Sequence, residues 1–385
     1  TNLLTIGDYA FYANNGLTSL ELPVHLEAIG EYAFAYCVNI RDINFKTSVN
    51  ANGGNQLVLD IGAYAFSNTH FLYTLSLPSS LNSMGEGVFS YASRLKYVNF
   101  APALNLGRTS VEIPARAFSG DKVIEKITIP AYVTLIGDHA FDGLMLDEIV
   151  FLSNGAGDEN LVIGDYAFAN LSRLTSIALP DRLTGVGNYA FANSNISALT
   201  YSPDGRNFTA GDGAFANIRI KEFTVKPRIT SLGKYAFAEN ALLERVIYEG
   251  HTDLVIDEGT FRNSAIREVR SSLVPATAFI GMRAFENTPN LTVVSLSGNG
   301  MTLEASGAVI IGDYAFYRSA IGAVSLKSGE LTIGDYAFSE TKLKTFSIIE
   351  ATLVSVGELA FARNTLLTAL SINASVKVDY LGYGF

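Results

Sequence analysis

The chain alternates two kinds of hydrophobic pattern, and it repeats them from end to end. The first is a short block, Ile-Gly-Asp-Tyr-Ala-Phe, which occurs verbatim at 6–11, 163–168, 311–316 and 333–338. Looser copies fill the gaps, each closed by a Phe, so that Phe11, Phe34, Phe66, Phe89 and Phe118 follow at steps of 23, 32, 23 and 29 residues. The series continues through Phe141, Phe168, Phe191, Phe215, Phe237, Phe261, Phe285, Phe316 and Phe338 to Phe361. A degenerate copy, Leu381-Gly382-Tyr383-Gly384-Phe385, lies one step further. The second pattern is Leu-x-x-Leu-x-Leu, with Ile, Val or Phe often replacing Leu, seen at Leu17–Leu22, Leu72–Leu77, Leu174–Leu179 and Leu291–Leu296. Its last three apolar positions alternate with period two, which predicts a short strand with one buried face.

A period of 20 to 50 residues marks a solenoid, in which each coil buries its apolar face against its neighbours. The fold class expected is a leucine-rich-repeat right-handed solenoid, mainly β, with a short parallel strand per repeat and short helical turns. One domain is expected over 1–385, with about 15 repeats and a partial C-terminal one.

Each repeat position has a physical task. The Phe is expected to form an aromatic spine, and the Ala before it must be small where coils meet; only Val88 and Thr260 relax it among the full copies. The Gly after Ile marks a corner that needs positive φ or close backbone approach. Asp8, Asp165, Asp313 and Asp335 sit where a helical turn begins, so their carboxylates are expected to cap N–H groups there. Pro23, Pro78, Pro130 and Pro180 follow the strand, where a missing donor is tolerated. Extra residues fall in one slot, between the strand and the next Ile-Gly. They form inserts at Lys46–Gln56, Pro102–Ser110, Ser153–Asn160, Ser202–Phe208 and Ser297–Gly307. Their Asn, Gly and Ser content reads as solvated loop, several followed by a second short strand.

Composition narrows the function classes. A chain of 385 residues that is 48% hydrophobic and 17% charged can bury a large core. Its net charge of -10 disfavours nucleic acid, whose phosphates need clustered Lys and Arg. No stretch approaches a spanning helix, so membrane insertion is not expected. Opening at Thr1 with neither a start Met nor a signal peptide, the chain reads as processed or trimmed.

Candidate chemistry is sparse. The single cysteine, Cys37, permits no intrachain disulfide and falls in a repeat slot that should be buried. His25, His70, His139 and His251 lie in different repeats without metal-ligand spacing. His139 takes the slot of Tyr9, Tyr32 and Tyr166, as a packing substitution. Stacked carboxylates such as Asp313 and Asp335 are read as caps rather than a calcium ladder, and Asp158 with Glu159 is the least unfavourable calcium position. No Gly-x-Ser-x-Gly elbow or phosphate loop occurs. No catalytic residue, metal, cofactor or enzyme activity is therefore assigned.

The strand residues that point away from the core are mostly small or hydroxylated. The exception is Tyr73, Lys96, Tyr97 and Lys126 on three adjacent coils. Two rings and two ammonium groups there fit an acidic or glycan partner; the alternative is an ordinary solvated sheet face. The recurrent Tyr row and the insert flank are two further candidate surfaces.

The motif resembles the BspA-like leucine-rich repeats, with Ile-Gly-x-x-Ala-Phe followed by Leu-x-x-Ile-x-Ile-Pro. Gly30 to Ile43 carries it well, through Ala33-Phe34, Cys37 and Ile40-x-x-Ile43. The family often has Cys in that slot, where this chain elsewhere has Asn14, Thr69, Ser194 or Asn364. The resemblance spans the chain and implies an extracellular or cell-surface location and adhesion to host proteins or other cells. It supplies no catalytic residue. The function expected is a non-catalytic, monomeric protein-binding scaffold whose partner is an extracellular protein, from host matrix or cell surface, or a glycan. The alternatives are a carbohydrate or peptide receptor with a discrete concave-face pocket, and passive spacer repeats of a larger surface protein.

Overall fold

A computed structural model describes residues 3–46, 58–101, 110–153, 159–295 and 302–373, and the backbone of 378–381. The inserts at 47–57, 102–109, 154–158 and 296–301 lie outside the described residues, and Asp158 with them. Two compact units are seen, Thr1–Arg206 and Asn207–Phe385. Both are parallel β-solenoids.

In the first unit every coil contributes two strands. One set is the expected Leu-x-x-Leu-x-Leu strand, in register with its neighbour: Ser19–Leu22 on Asp42–Phe45, Thr74–Leu77 on Tyr97–Phe100, Lys126–Ile129 on Glu148–Phe151, Ser176–Leu179 on Ala198–Tyr201. Each strand opens with an exposed then a buried residue in all but the last, as period-two alternation requires. The second strand of each pair ends in an aromatic, Phe45, Phe100, Phe151 or Tyr201, where the first ends in Leu or Ile. Phe45 and Phe151 turn ring edges onto Phe66 and Phe168 of the next coil. That added ring volume sits where the strand ladder is interrupted between pairs.

The other strand set precedes the Gly corner, and it is present in every coil rather than only after inserts. Thr5–Ile6, Ala28–Ile29, Leu59–Ile61 and Leu81–Met84 form one ladder, and Val111–Ile113, Val133–Ile136, Leu161–Ile163 and Leu183–Val186 another. At several places where a three-residue strand meets a four-residue one the register slips by one, as at Leu59↔Leu81 then Asp60↔Ser83. The bulge lets both ends of each strand stay buried.

The expected helical turns are not formed: no helix occurs among the described residues. The Ile-Gly-Asp-Tyr-Ala-Phe segment is instead a run of β-turns. Ala10 N donates to Gly7 O, Tyr12 N to Tyr9 O and Asn14 N to Phe11 O, at 3.0–3.3 Å. The intervening amides of Tyr9, Phe11 and Ala13 donate to Glu31, Ala33 and Ala35 of the next coil. Tyr9 and Ala13 have φ of 55°, the type II signature at the third turn position. A left-handed residue in each turn of this kind prevents helix propagation.

The positive φ therefore falls on the Tyr slot and not on the Gly of Ile-Gly. Gly87, Gly213 and Gly259 take that slot in three coils, with φ near 60°. The Ile-Gly glycine serves close approach. A Cβ on Gly187 would lie 2.5 Å from Asp165 Oδ1 and from the Gly164 carbonyl carbon. The Asp after the glycine does cap an amide, but that of the next coil. Asp8 Oδ1 accepts from Glu31 N at 2.8 Å and Asp165 Oδ1 from Asn188 N at 2.6 Å. Asp165→Ala is expected to lower stability by about 1 kcal/mol, the value of one such bond, in a chemical-denaturation titration.

The core is the Phe spine. In the first unit Phe11 to Phe191 stack with centroids 5.0–5.9 Å apart and planes within 12°. In the second unit Phe215 to Phe361 repeat this at 5.0–6.0 Å. Three residues after most of these Phe residues runs a buried slot, several of whose polar occupants answer the backbone. Cys37 Sγ donates to Phe11 O at 2.9 Å, Ser194 Oγ to Phe168 O at 3.1 Å and Asn240 Nδ2 to Phe215 O at 3.1 Å. Burial pushes the Cys37 thiol pKa up, which fits a packing role. The second unit carries its own ladders, including Glu222–Val225, Arg245–Tyr248, Glu268–Ser271 and Val293–Ser295 in one sheet.

Candidate functional site

Tyr73 and Lys96 each stand immediately before a strand, and Tyr97 and Lys126 each open one. The amides of Lys96 and Tyr97 both donate to Tyr73 O, at 3.0 and 3.3 Å, which fixes the two coils together at this point. The Tyr73 and Tyr97 rings meet edge to face, 5.5 Å apart at 81°. They are 51% and 48% exposed, so each offers ring surface to a partner. Lys96 Nζ lies 5.8 Å from the Tyr97 ring centre, within cation–π range.

The two ammonium groups are already partnered. Lys96 Nζ is 3.1 Å from Glu125 Oε2, and that hydrogen bond holds its pKa above the usual lysine value. Lys126 Nζ is 2.7 Å from Glu148 Oε2, directly across its register pair. The structure thus joins Tyr73, Lys96 and Tyr97 in one contact set and ties Lys126 to the following coil. The positive charge is locally cancelled at both lysines.

Sequence reading missed three residues beside this set. Phe71, two residues before Tyr73, is only partly buried. The Arg94 guanidinium carbon lies 4.3 Å from its ring centre and that of Arg41 5.9 Å. Both arginines are exposed. The signal was a ring in the position before Leu72 that holds Asn39 in the preceding coil and Arg94 in the next.

The Tyr row is accounted for by packing between coils. Tyr9, Tyr32 and Tyr64 stack at 5.1 Å, and His139, Tyr166 and Tyr189 at 4.8 and 5.2 Å. Tyr64 lies against Gly87, where a Cβ would sit 2.2 Å from its ring, and its hydroxyl donates to Glu86 at 3.0 Å. Arg116 and that hydroxyl hold the Glu86 pKa below the usual range. His139 also pairs with Asp142 at 2.9 Å.

Other concavities lie within the second unit. One of about 380 Å³ is lined by Tyr248, His251, Asp253 and Asp257, with the Tyr248 hydroxyl and His251 Nε2 buried beneath it. A shallower groove of about 570 Å³ crosses several coils beside Lys221, Arg267 and Lys342. Among the described residues no group of three or more His, Cys, Asp or Glu is arranged to hold a metal ion. Nor is any described helix long and apolar enough to cross a membrane.

Comparison with known proteins returns one architecture. The BspA type leucine rich repeat region matches residues 4–143, 111–243, 161–292 and 279–383. A solved leucine-rich repeat protein from Bacteroides ovatus is 19% identical, covers 98% of this chain and 87% of its own, and superposes with a TM-score of 0.60. A leucine rich cell surface protein from Faecalibacterium prausnitzii is 17% identical over 97% of this chain and 83% of its own, with a TM-score of 0.39. No curated protein sequence is a significant match.

Proposed function

The chain belongs to the BspA-type leucine-rich repeat family, and on that premise we propose that it is a non-catalytic binding scaffold, displayed at a cell surface or secreted, which adheres to an extracellular protein. The family and the repeat scaffold support the class. The observation that carries a specific surface is the Tyr73–Tyr97 pair. Its half-exposed rings stand on a strand face whose other outward residues are mostly small and polar. Rigid aromatic side chains of this kind dominate binding energy at interfaces. Lys96 belongs to the same surface, and Lys126 borders it.

The test is a binding screen of the folded chain against immobilised extracellular-matrix proteins, with a glycan array alongside. Tyr97→Ala is expected to weaken the partner found by about tenfold or more. Lys126→Ala is expected to change it less, because its ammonium is held in an exposed pair with Glu148. A saturable partner indifferent to Tyr97→Ala moves the site elsewhere. No partner from a well-folded monomer favours the spacer reading.

A further inference from the structure

In the first unit several cations are neutralised in place. Lys96, Arg116, Lys126 and Arg173 each lie within 3.1 Å of a carboxylate oxygen. Arg41 and Arg94 differ. Neither makes an ion pair among the described residues; both lie over Phe71 instead, from the coil before it and the coil after. A guanidinium over a ring is held by its face and retains its in-plane N–H donors for another acceptor. Those donors form a fork suited to carboxylate or sulfate oxygens.

Partner type follows from what the backbone leaves open. Arg41 N donates to Thr18 O, Phe71 N to Val38 O and Lys96 N to Tyr73 O. These amides are engaged between coils and are not open to an extended peptide. Recognition at this patch is then by side chains. Two pre-oriented guanidinium groups, with the exposed Tyr73 and Tyr97 rings beginning two residues away, suit a chain of sugar rings carrying oxyanions.

We infer that Arg41, Phe71 and Arg94 form a site for an anionic polysaccharide, extending the Tyr73–Tyr97 surface and resting on its reading as a binding face. Phe71 is a positioning residue; the arginines make the contacts. The chain's net charge of -10 repels polyanions at long range, so retention of one reports a local site rather than general attraction.

The experiment measures binding of the whole folded chain to immobilised heparin as sodium chloride is raised, with poly-glutamate as the peptide comparison. Salt-sensitive binding is expected, weakened about tenfold or more by the Arg41→Ala/Arg94→Ala double variant. The Arg116→Ala/Arg173→Ala double variant is expected to lose less than about threefold, since those charges are already compensated by Glu86 and Asp147. Circular dichroism and thermal unfolding confirm that both double variants fold. Absence of salt-sensitive binding, equal loss in the two double variants, or tighter binding of poly-glutamate overturns the site. A matrix protein bound through Tyr97 with no salt-sensitive heparin binding overturns the polysaccharide site while leaving the scaffold reading intact.

Discussion

Phe141→Ala is expected to destabilise the first unit by about 3–5 kcal/mol, the range for deleting a fully buried ring. Phe141 is wholly buried between Phe118 and Phe168, at 5.3 and 5.2 Å. Its neighbours are held at that spacing by the strand ladders and the alternate amides of the turn segment, so the site cannot collapse around the void. The loss therefore combines transfer free energy with an unrelieved cavity. Because each coil contacts only its neighbours, the damage is local. Hydrogen exchange should accelerate first in the coils of Phe118 and Phe168, with a lowered denaturation midpoint. Phe141→Leu, which keeps much of the volume, is expected to cost less than half as much. A pair of equal losses would show that the spine is not packed as described.

Asp121→Asn is expected to stabilise the protein at neutral pH by about 2 kcal/mol, the cost of leaving a buried polar group unanswered. Asp121 sits in the buried slot three residues after Phe118, fully excluded from solvent, and neither carboxylate oxygen has a hydrogen-bond partner. The slot offers a carbonyl and an amide, which Asn240 satisfies with Nδ2 to Phe215 O and Oδ1 from Ile218 N. Asparagine can do both at once; an ionised aspartate cannot donate. Burial accordingly raises the Asp121 pKa well above its ordinary 3.8, opposed only in part by the backbone at Ala92, which lies near without completing a hydrogen bond. The folded state then binds the proton more tightly than the unfolded one. Its stabilising contribution is complete below about pH 3.8 and is lost as pH rises through the folded pKa. The Asn variant should exceed the parent in thermal midpoint at pH 7, and the gap should narrow as pH falls toward 4. A gap that widens in acid would reverse the sign and remove the unpartnered-acid account.

Of the surface chemistry, the aromatic half was legible. Tyr73 and Tyr97 stood out because the outward strand positions are otherwise small, and they do meet edge to face. The lysines were legible as charges but not as compensated charges. Glu125 and Glu148 lie one coil onward, and only the register brings Lys126 opposite Glu148. Arg41, Phe71 and Arg94 were passed over because they lie in three different coils, and Arg41 stands in another repeat slot from Phe71 and Arg94. Nothing along the chain says that two guanidinium groups lie over one ring.

The sequence by itself determined the solenoid, the position of the spine, the small Ala beside it and the period-two strand. Each of these is a local pattern repeated until it leaves one arrangement that stacks the Phe of each coil on the next. Tertiary structure decided the rest. A Gly-Asp-Tyr-Ala-Phe segment reads as helical by its capping Asp, yet alternate amides find acceptors in the next coil and the Tyr turns left-handed. Stacking likewise makes the Asp a cap for its neighbour, and it leaves Asp121 in a slot that fits an amide better than an acid. The physical reason is common to all three. In a solenoid the partners of a backbone or side-chain group lie one period away, and one coil alone does not reveal what the next presents to it.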